Sequence, residues 1–236
     1  MMENIKTVFI DLDDTLWWFS ENTKVAIRFV YDKYGLSRWC DYDTYLKLYC
    51  DKNNELWELY HYGKISKDFL VSERFDYVLR SIGYNGNKEV MGACLNEDYL
   101  DCLARQKKIL PGAKELLEYL GGKYDVNVLS NGFRGFQPRK LESGGIAHLV
   151  HRLILSDDCG VTKPLPGIYE YALRECGAEA ESTVMIGDNY DADIRGAHKA
   201  RWRTIFFDWR GMEVPQPSIA DVTVRSLLEI VERRIL

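Results

Sequence analysis

Nowhere in these 236 residues is there an apolar run approaching the roughly 18 residues that a membrane-spanning helix needs. Charge of one sign is lacking too. Lys and Arg number 31 against 36 Asp and Glu, a net charge of -5, with the signs mixed along the chain and no basic stripe. Nothing therefore points to a nucleic-acid polymer as partner. The six cysteines (Cys40, Cys50, Cys94, Cys102, Cys159 and Cys176) include no C-x-x-C pair, and the four histidines do not cluster with them. A zinc site is not expected; the cysteines read as reduced, mostly buried thiols. His148 and His151 are three apart, a spacing that puts both on one helix face, with no acid or Cys at ligand spacing. The chain runs almost at once into "IKTVFID", so no signal peptide is expected and the expected location is the cytoplasm. There is no internal repeat and no low-complexity tract.

What is there is an ordinary soluble composition, 46% apolar and 28% charged, long enough for one large domain or a core with an insertion. Short apolar runs recur at 5–11, 126–130, 152–156, 183–188 and 204–208. They do not alternate, which predicts strands buried on both faces, as in a parallel sheet. Between them, 112–120, 166–176, 190–200 and 225–235 carry helical spacing of apolar residues. The fold class is α/β, a doubly wound parallel sheet.

One segment breaks the rhythm. From Trp17 to Arg105 no strand is legible and four helical stretches follow one another. Ser66 is a candidate N-cap, and Gly35, Gly63 and Gly83 are candidate stops. The predicted organisation is an α/β core of 1–16 and 106–236, carrying an inserted all-helical domain at 17–105. Hinges are expected near 17–20 and 104–110.

The strand ends are acidic. The first strand ends in Asp11 and Asp13, with Asp14 past it, the second in Ser130-Asn131-Gly132, the fourth in Gly187-Asp188 with Asp191 and Asp193 beyond, and a loop carries Lys163-Pro164. In an open parallel sheet these ends share one rim, where ligands bind. Any one acid there is ordinarily a cap or turn residue. Four such features in chain order suit a divalent metal and a phosphoryl group. Carboxylate oxygens hold Mg²⁺, an ammonium and N–H donors neutralise phosphoryl oxygens, one carboxylate attacks phosphorus and a second moves the proton. Extended chain alternates faces, so Asp11 and Asp13 are expected to share a side. Asp14 is expected to bond backbone N–H groups in the turn, helped by Thr15, and Asp14→Asn to cost less activity than Asp11→Asn or Asp13→Asn.

Asp11-Leu12-Asp13-Asp14-Thr15 resembles the first motif, D-x-D-x-T, of the haloacid-dehalogenase-like (HAD) hydrolases. Ser130 matches their second motif, Lys163-Pro164 the third, and Gly187-Asp188 through Asp193 the fourth. The resemblance implies a HAD-like Rossmannoid core with a helical cap that sets substrate specificity. It implies Asp11 as nucleophile, Asp13 as general acid and then base, and Ser130 as phosphate-oxygen ligand, helped by the Asn131 N–H. Lys163 would offset charge on nucleophile and phosphate. Mg²⁺ would sit between Asp11, the Asp13 carbonyl and Asp188, with Asp193 orienting Lys163 or metal-bound water and Asn189 reaching the metal shell through water. Asp191 falls at a variable position and receives no role.

The dehalogenases proper lack the second Asp of the first motif, so Asp13 and Asp188 favour phosphoryl transfer. Sugar-phosphate phosphatase, β-phosphoglucomutase-like mutase and phosphoglycolate phosphatase chemistry stay open. A phosphonatase would need a cap lysine, and Lys24 sits in an ordinary helix start. A non-catalytic phospho-acceptor or phosphate-binding protein is the rival from outside enzymes; receiver domains are about half this length and place the acceptor on a later strand. The insertion holds 18 of the 30 aromatic residues, and Trp17, Trp18 and Trp57 are its candidate substrate contacts, by stacking on a nucleobase. "DLDDTLWWF", "NELWELYHYGKIS", "LSNGF" and "GDNYDADIRGA" further resemble the bacterial pyrimidine 5′-nucleotidase branch, which implies nucleoside 5′-monophosphates as substrate. The expected partner is a small phosphorylated metabolite, and the expected state a monomer or weak homodimer.

Overall fold

Four consecutive buried residues, Thr7–Ile10, form β1 at the middle of the sheet. The computed structural model describes residues 2–236. The chain divides into two compact units, one running up to Phe19 and again over Lys107–Leu236, the other Ser20–Gln106.

In the first unit, β1 is flanked by β2 (Asp125–Ser130) and β4 (Thr183–Gly187), with Ile10 beside Val128 and Ile186. β3 (Arg152–Leu155) lies outside β2; β5 (Arg203–Phe207) and β6 (Val222–Val224) continue beyond β4. The order is β3-β2-β1-β4-β5-β6 and every pairing is parallel. The near-continuous apolar runs follow from burial on both faces.

The flanking helices are α5 (Ala113–Leu120), α6 (Gln137–Ser143), α7 (Ser156–Cys159), α8 (Pro166–Cys176), α9 (Gly196–Lys199) and α10 (Leu228–Glu232). α5 turns Ala113, Leu116, Leu117 and Leu120 inward, the face its spacing predicts. The stretch read as one helix over 190–200 is instead a π-helical turn, Tyr190–Arg195, followed by α9. The wider turn is capped by the Asn189 Oδ1, which accepts from the backbone N–H of Asp191 and Ala192.

On one face of the sheet, Phe9 stacks on Trp202 with centroids 4.7 Å apart, and Trp202 meets Tyr169 edge-on at 5.3 Å. All three belong to a buried cluster with Leu129, Ile168 and Met185. Phe9→Ala is expected to destabilise the protein by about 3–5 kcal/mol, because the ring leaves a cavity beneath a stiff sheet that cannot collapse. Urea unfolding followed by tryptophan fluorescence measures it.

The second unit is helical. Its elements are α1 (Phe19–Lys33, whose first residue lies in the first unit), α2 (Tyr42–His61), α3 (Lys67–Ser81) and α4 (Lys88–Ala104). Asp41, Ser66 and Asn87 cap α2, α3 and α4 by accepting from the N–H three residues on. Gly35, Gly63 and Gly83 all adopt positive φ at the helix stops. The rings of Tyr49, Phe75 and Tyr99 lie 5.0–5.6 Å apart and form the centre of this unit. Much of the aromatic excess is therefore core.

The boundaries fall at 19/20 and 106/107, not at 16/17 and 105/106. Trp17 forms a β-bridge with Ile109, and the Trp18 N–H donates to the Lys108 carbonyl at 3.0 Å. These contacts draw both tryptophans into the first unit. The cysteines are free and half-buried, not mostly buried as expected. His148 and His151 do not share a helix face: His148 lies in a short 3-10 turn, and His151 Nδ1 contacts Asp125 at 2.6 Å. Among the described residues no helix is long and apolar enough to cross a membrane.

Candidate active site

Because the strands are parallel, residues that follow β1, β2 and β4 meet on one rim. Asp11 continues β1 by donating its N–H to the Ile186 carbonyl at 2.9 Å, and its side chain is buried. The chain then leaves the sheet through Asp14, which takes positive φ.

Lys163 sits at the centre. Its Nζ donates to Asp11 Oδ1, Asp193 Oδ1 and the Leu129 carbonyl, each at 2.7 Å, so its three protons have three acceptors. Burial works against its charge, yet the Asp11 and Asp193 carboxylates outweigh that and hold its pKa above the ordinary lysine value. Asn131 fixes the lysine's backbone. Its Oδ1 accepts from the Lys163 N–H and its Nδ2 donates to the Lys163 carbonyl, both at 2.8 Å.

Asp11, Asp188 and Asp193 bring one carboxylate oxygen each to within 4.8 Å of one another, and all three are buried. Burial pushes the Asp11 carboxyl well above the usual range, with Asp193 and Asp188 adding to it against the pull of Lys163. Asp188 is pushed up to about 7, again chiefly by burial, with Asp193 and Asp14 adding to it against Arg210. Gly187, immediately before Asp188, has no room for a side chain: a Cβ there would strike the Asp193 carboxylate.

Thr15 behaves differently from expectation, and Asp14, in its turn, has a partner the sequence did not show. Asp14 is paired with the Arg210 guanidinium, which also reaches Asp188. Thr15 Oγ1 serves Asp188, not Asp14, donating to Oδ1 and accepting from the Asp188 N–H, both at 3.1 Å. Asp14 takes positive φ, and its carboxylate meets Arg210 in the loop after β5. There Trp209 lies 4.2 Å beneath Arg210 and donates its indole N–H to the Asp14 carbonyl at 3.0 Å.

Asp13 is part-exposed and stands outside the three-carboxylate cluster. Lys140 Nζ approaches its two oxygens at 2.7 and 2.9 Å, and Gln137 Nε2 donates to it at 2.8 Å. Ser130 Oγ accepts from the Gly132 N–H at 3.1 Å and from Gln137 at 2.7 Å, which leaves its own proton to be donated.

The rim thus brings together Asp11, Asp13, Ser130, Lys163, Asp188, Asp193, Asn131 and Thr15. It does not use every residue singled out in the sequence. Asn189 is exposed and its amide oxygen is committed to the π-turn cap. Trp17 is wholly buried, against Gly144 and Ile109, as core. Trp18 is half-buried and edge-on to Trp209 at 6.2 Å. Trp57 belongs to the helical unit, half-buried and edge-on to Tyr60 at 5.6 Å. Gln137, Lys140 and Arg210 were missed. The first two are three apart on the helix after "SNG", a spacing that does signal one shared face; Arg210 had only its place after a strand end to mark it.

Comparison with known proteins follows the same outline. The chain is 30% identical to the pyrimidine 5′-nucleotidase YjjG of Escherichia coli, over 94% of this chain and 95% of that one. It is 30% identical to the pyrimidine 5′-nucleotidase PynA of Streptococcus pneumoniae, over 98% and 97%. The HAD-hydrolase YfnB of Bacillus subtilis, solved bound to magnesium, superposes with a TM-score of 0.88 at 25% identity, covering 99% of this chain and 100% of that one. The family description haloacid dehalogenase-like hydrolase matches residues 5–201, a span that contains every rim carboxylate. On motif order, fold and sequence match together, the chain belongs to the haloacid dehalogenase-like hydrolases.

Proposed function

We propose that this protein is a Mg²⁺-dependent phosphomonoester hydrolase that works through an aspartyl-phosphate on Asp11, with nucleoside 5′-monophosphates as substrates. The observation that carries the reading is the buried group of Asp11, Lys163, Asp188 and Asp193, with a second, part-exposed acid two residues along at Asp13.

The donor set fits the metal. Five carboxylates (Asp11, Asp13, Asp14, Asp188 and Asp193) face three cations (Lys140, Lys163 and Arg210), and the excess negative charge lies where Asp11 and Asp188 are hardest to ionise. Hard oxygen donors of this kind suit Mg²⁺. Asp11 and Asp188 would hold it. When bound, it offsets negative charge on the phosphoryl oxygens.

The chain's own residues supply the rest. An Asp11 oxygen attacks phosphorus, the bond to the ester oxygen breaks, and that oxygen takes a proton from Asp13. The alcohol leaves, Asp11 carries the phosphoryl group, and Asp13 is now a carboxylate. Asp13 then takes a proton from water as the water oxygen attacks phosphorus; the Asp11–phosphorus bond breaks and inorganic phosphate departs. Ser130 donates its proton to a phosphoryl oxygen, and Lys163 holds Asp11 in line while offsetting its charge. Asn131 serves through Lys163, whose backbone it clamps.

Two curated relatives that are pyrimidine 5′-nucleotidases support the substrate. The helical segment is proposed to select it, with Trp57 as a candidate flat face for a base, worth about 1–3 kcal/mol where such stacking is measured. The test is phosphate release over nucleoside monophosphates, sugar phosphates and phosphoglycolate, with Mg²⁺ and with EDTA. Nucleoside monophosphates are expected to be hydrolysed fastest, and EDTA to abolish turnover until Mg²⁺ is returned. Sugar phosphates turned over far faster would overturn the substrate; full activity in EDTA would overturn the mechanism.

A further inference from the structure

Lys140 is an unusual lysine. Its side chain is only 7% exposed, and its Nζ lies 5.0 Å from the Trp17 ring centre and 5.2 Å from that of Phe19. Burying an ammonium is costly unless it is paired, and an apolar residue would fill the same place on α6 more cheaply. Its partner is Asp13, which is the more exposed of the two at 29%. The anchored group is therefore the lysine, and the presented group is the carboxylate.

Gln137, one helical turn earlier, completes the arrangement. Its single Nε2 donates to Asp13 Oδ2 at 2.8 Å and to Ser130 Oγ at 2.7 Å. One nitrogen thus spans the acid and the hydroxyl, and sets the spacing between them. Gln137 is fully buried, and it reaches this position because residue 132 is glycine: a Cβ there would overlap the Gln137 amide. Its Oε1 is buried without a hydrogen-bond partner, a cost that makes sense only if Nε2 is the atom in use.

We propose that Lys140, assisted by Gln137, is the positioning residue for Asp13: it holds the side chain in the place from which, as the carboxylate, it takes a proton from water and, as the acid, passes one to the ester oxygen. This rests on the reading of Asp13 given above. Trp17, wholly buried against the same ammonium, is part of the support and not a substrate contact.

A positioning role for the proton donor has a signature that a general structural role lacks. An ester oxygen that leaves easily needs no proton; one that leaves poorly does. The measurement is kcat/KM of the Mg²⁺-loaded enzyme for 4-nitrophenyl, phenyl and benzyl phosphate, which differ mainly in how readily the oxygen departs. The benzyl to 4-nitrophenyl ratio within one preparation is independent of how much of it is active. Asp13→Asn, the reference, is expected to lower that ratio by about 10²–10⁴-fold, the usual contribution of a general acid. Lys140→Met keeps the buried stem and removes the charge. It is expected to lower the ratio by about 10–100-fold, the scale of a displaced catalytic group, and Lys140→Arg to restore it to within about threefold of the parent. If Lys140→Met yields no folded protein, Lys140→Gln is read in the same way. Equal losses on all three esters in the Lys140 variants, with Asp13→Asn showing its selective loss, overturn the inference. A flat response in Asp13→Asn overturns the underlying reading of Asp13 instead.

Discussion

Asp11→Asn is expected to lower phosphate release by roughly 10⁴-fold or more, the scale seen when a nucleophile is removed, while leaving the metal-free protein at least as stable at pH 7. The two outcomes have one cause. The amide cannot attack phosphorus or carry the phosphoryl group. The parent carboxylate, however, is held in the fold at a cost: burial and the Asp193 and Asp188 carboxylates raise its pKa in spite of Lys163. A carboxyl whose folded pKa is raised contributes stability below its unfolded pKa and loses it as the pH climbs through the folded one. That contribution shrinks as the pH rises above the unfolded value, a loss the neutral amide does not share, and Lys163 keeps Asp193 as its ionic partner. Calorimetric unfolding in EDTA, beside acid-quenched capture of a labelled phosphoryl-enzyme in the parent and its absence in Asp11→Asn, measures both. A variant that loses its fold along with its activity would refute this account.

The second large effect is at Lys163. Lys163→Met is expected to cost about 3–5 kcal/mol at neutral pH, because Asp11 and Asp193 are left buried with their shared cation gone. Activity should fall by at least about 10²–10³-fold, since the charge that faces the transferred group goes too. The pH dependence gives the sign. Without Lys163, the upward pull on Asp11 is unopposed from that side, so the variant regains stability as the pH falls and its carboxyls protonate. Urea unfolding from pH 5 to pH 8 should show the gap between variant and parent widening upward. A gap that narrows with rising pH would contradict the charge argument.

The sheet was readable because its inner strands are buried on both faces and so form unbroken apolar runs; β1, β2 and β4 are the clearest. β6 escaped notice because it has three residues, of which only Val224 is buried. The carboxylates of the rim were readable from their places after strands. Their partners were not, because a partner is fixed by the backbone angle that aims it. Asp14 is a turn residue, as its place after the strand suggests, yet its carboxylate also pairs with Arg210, nearly two hundred residues away in the chain. Trp17 and Trp18 share a composition and an address, yet one is core and the other half-exposed, a distinction made by the bridge to Ile109.

That bridge has a consequence for how the protein can be rebuilt. The chain departs at Trp18 and comes back at Lys108, and those two residues are joined by a backbone hydrogen bond of 3.0 Å. The exit and the return are therefore neighbours, like the two sides of a socket. An insert of another length or another origin would meet ends that are already held side by side. An exchange of one insert for another would start from that pairing of Trp18 with Lys108, on the first unit's own side of both junctions.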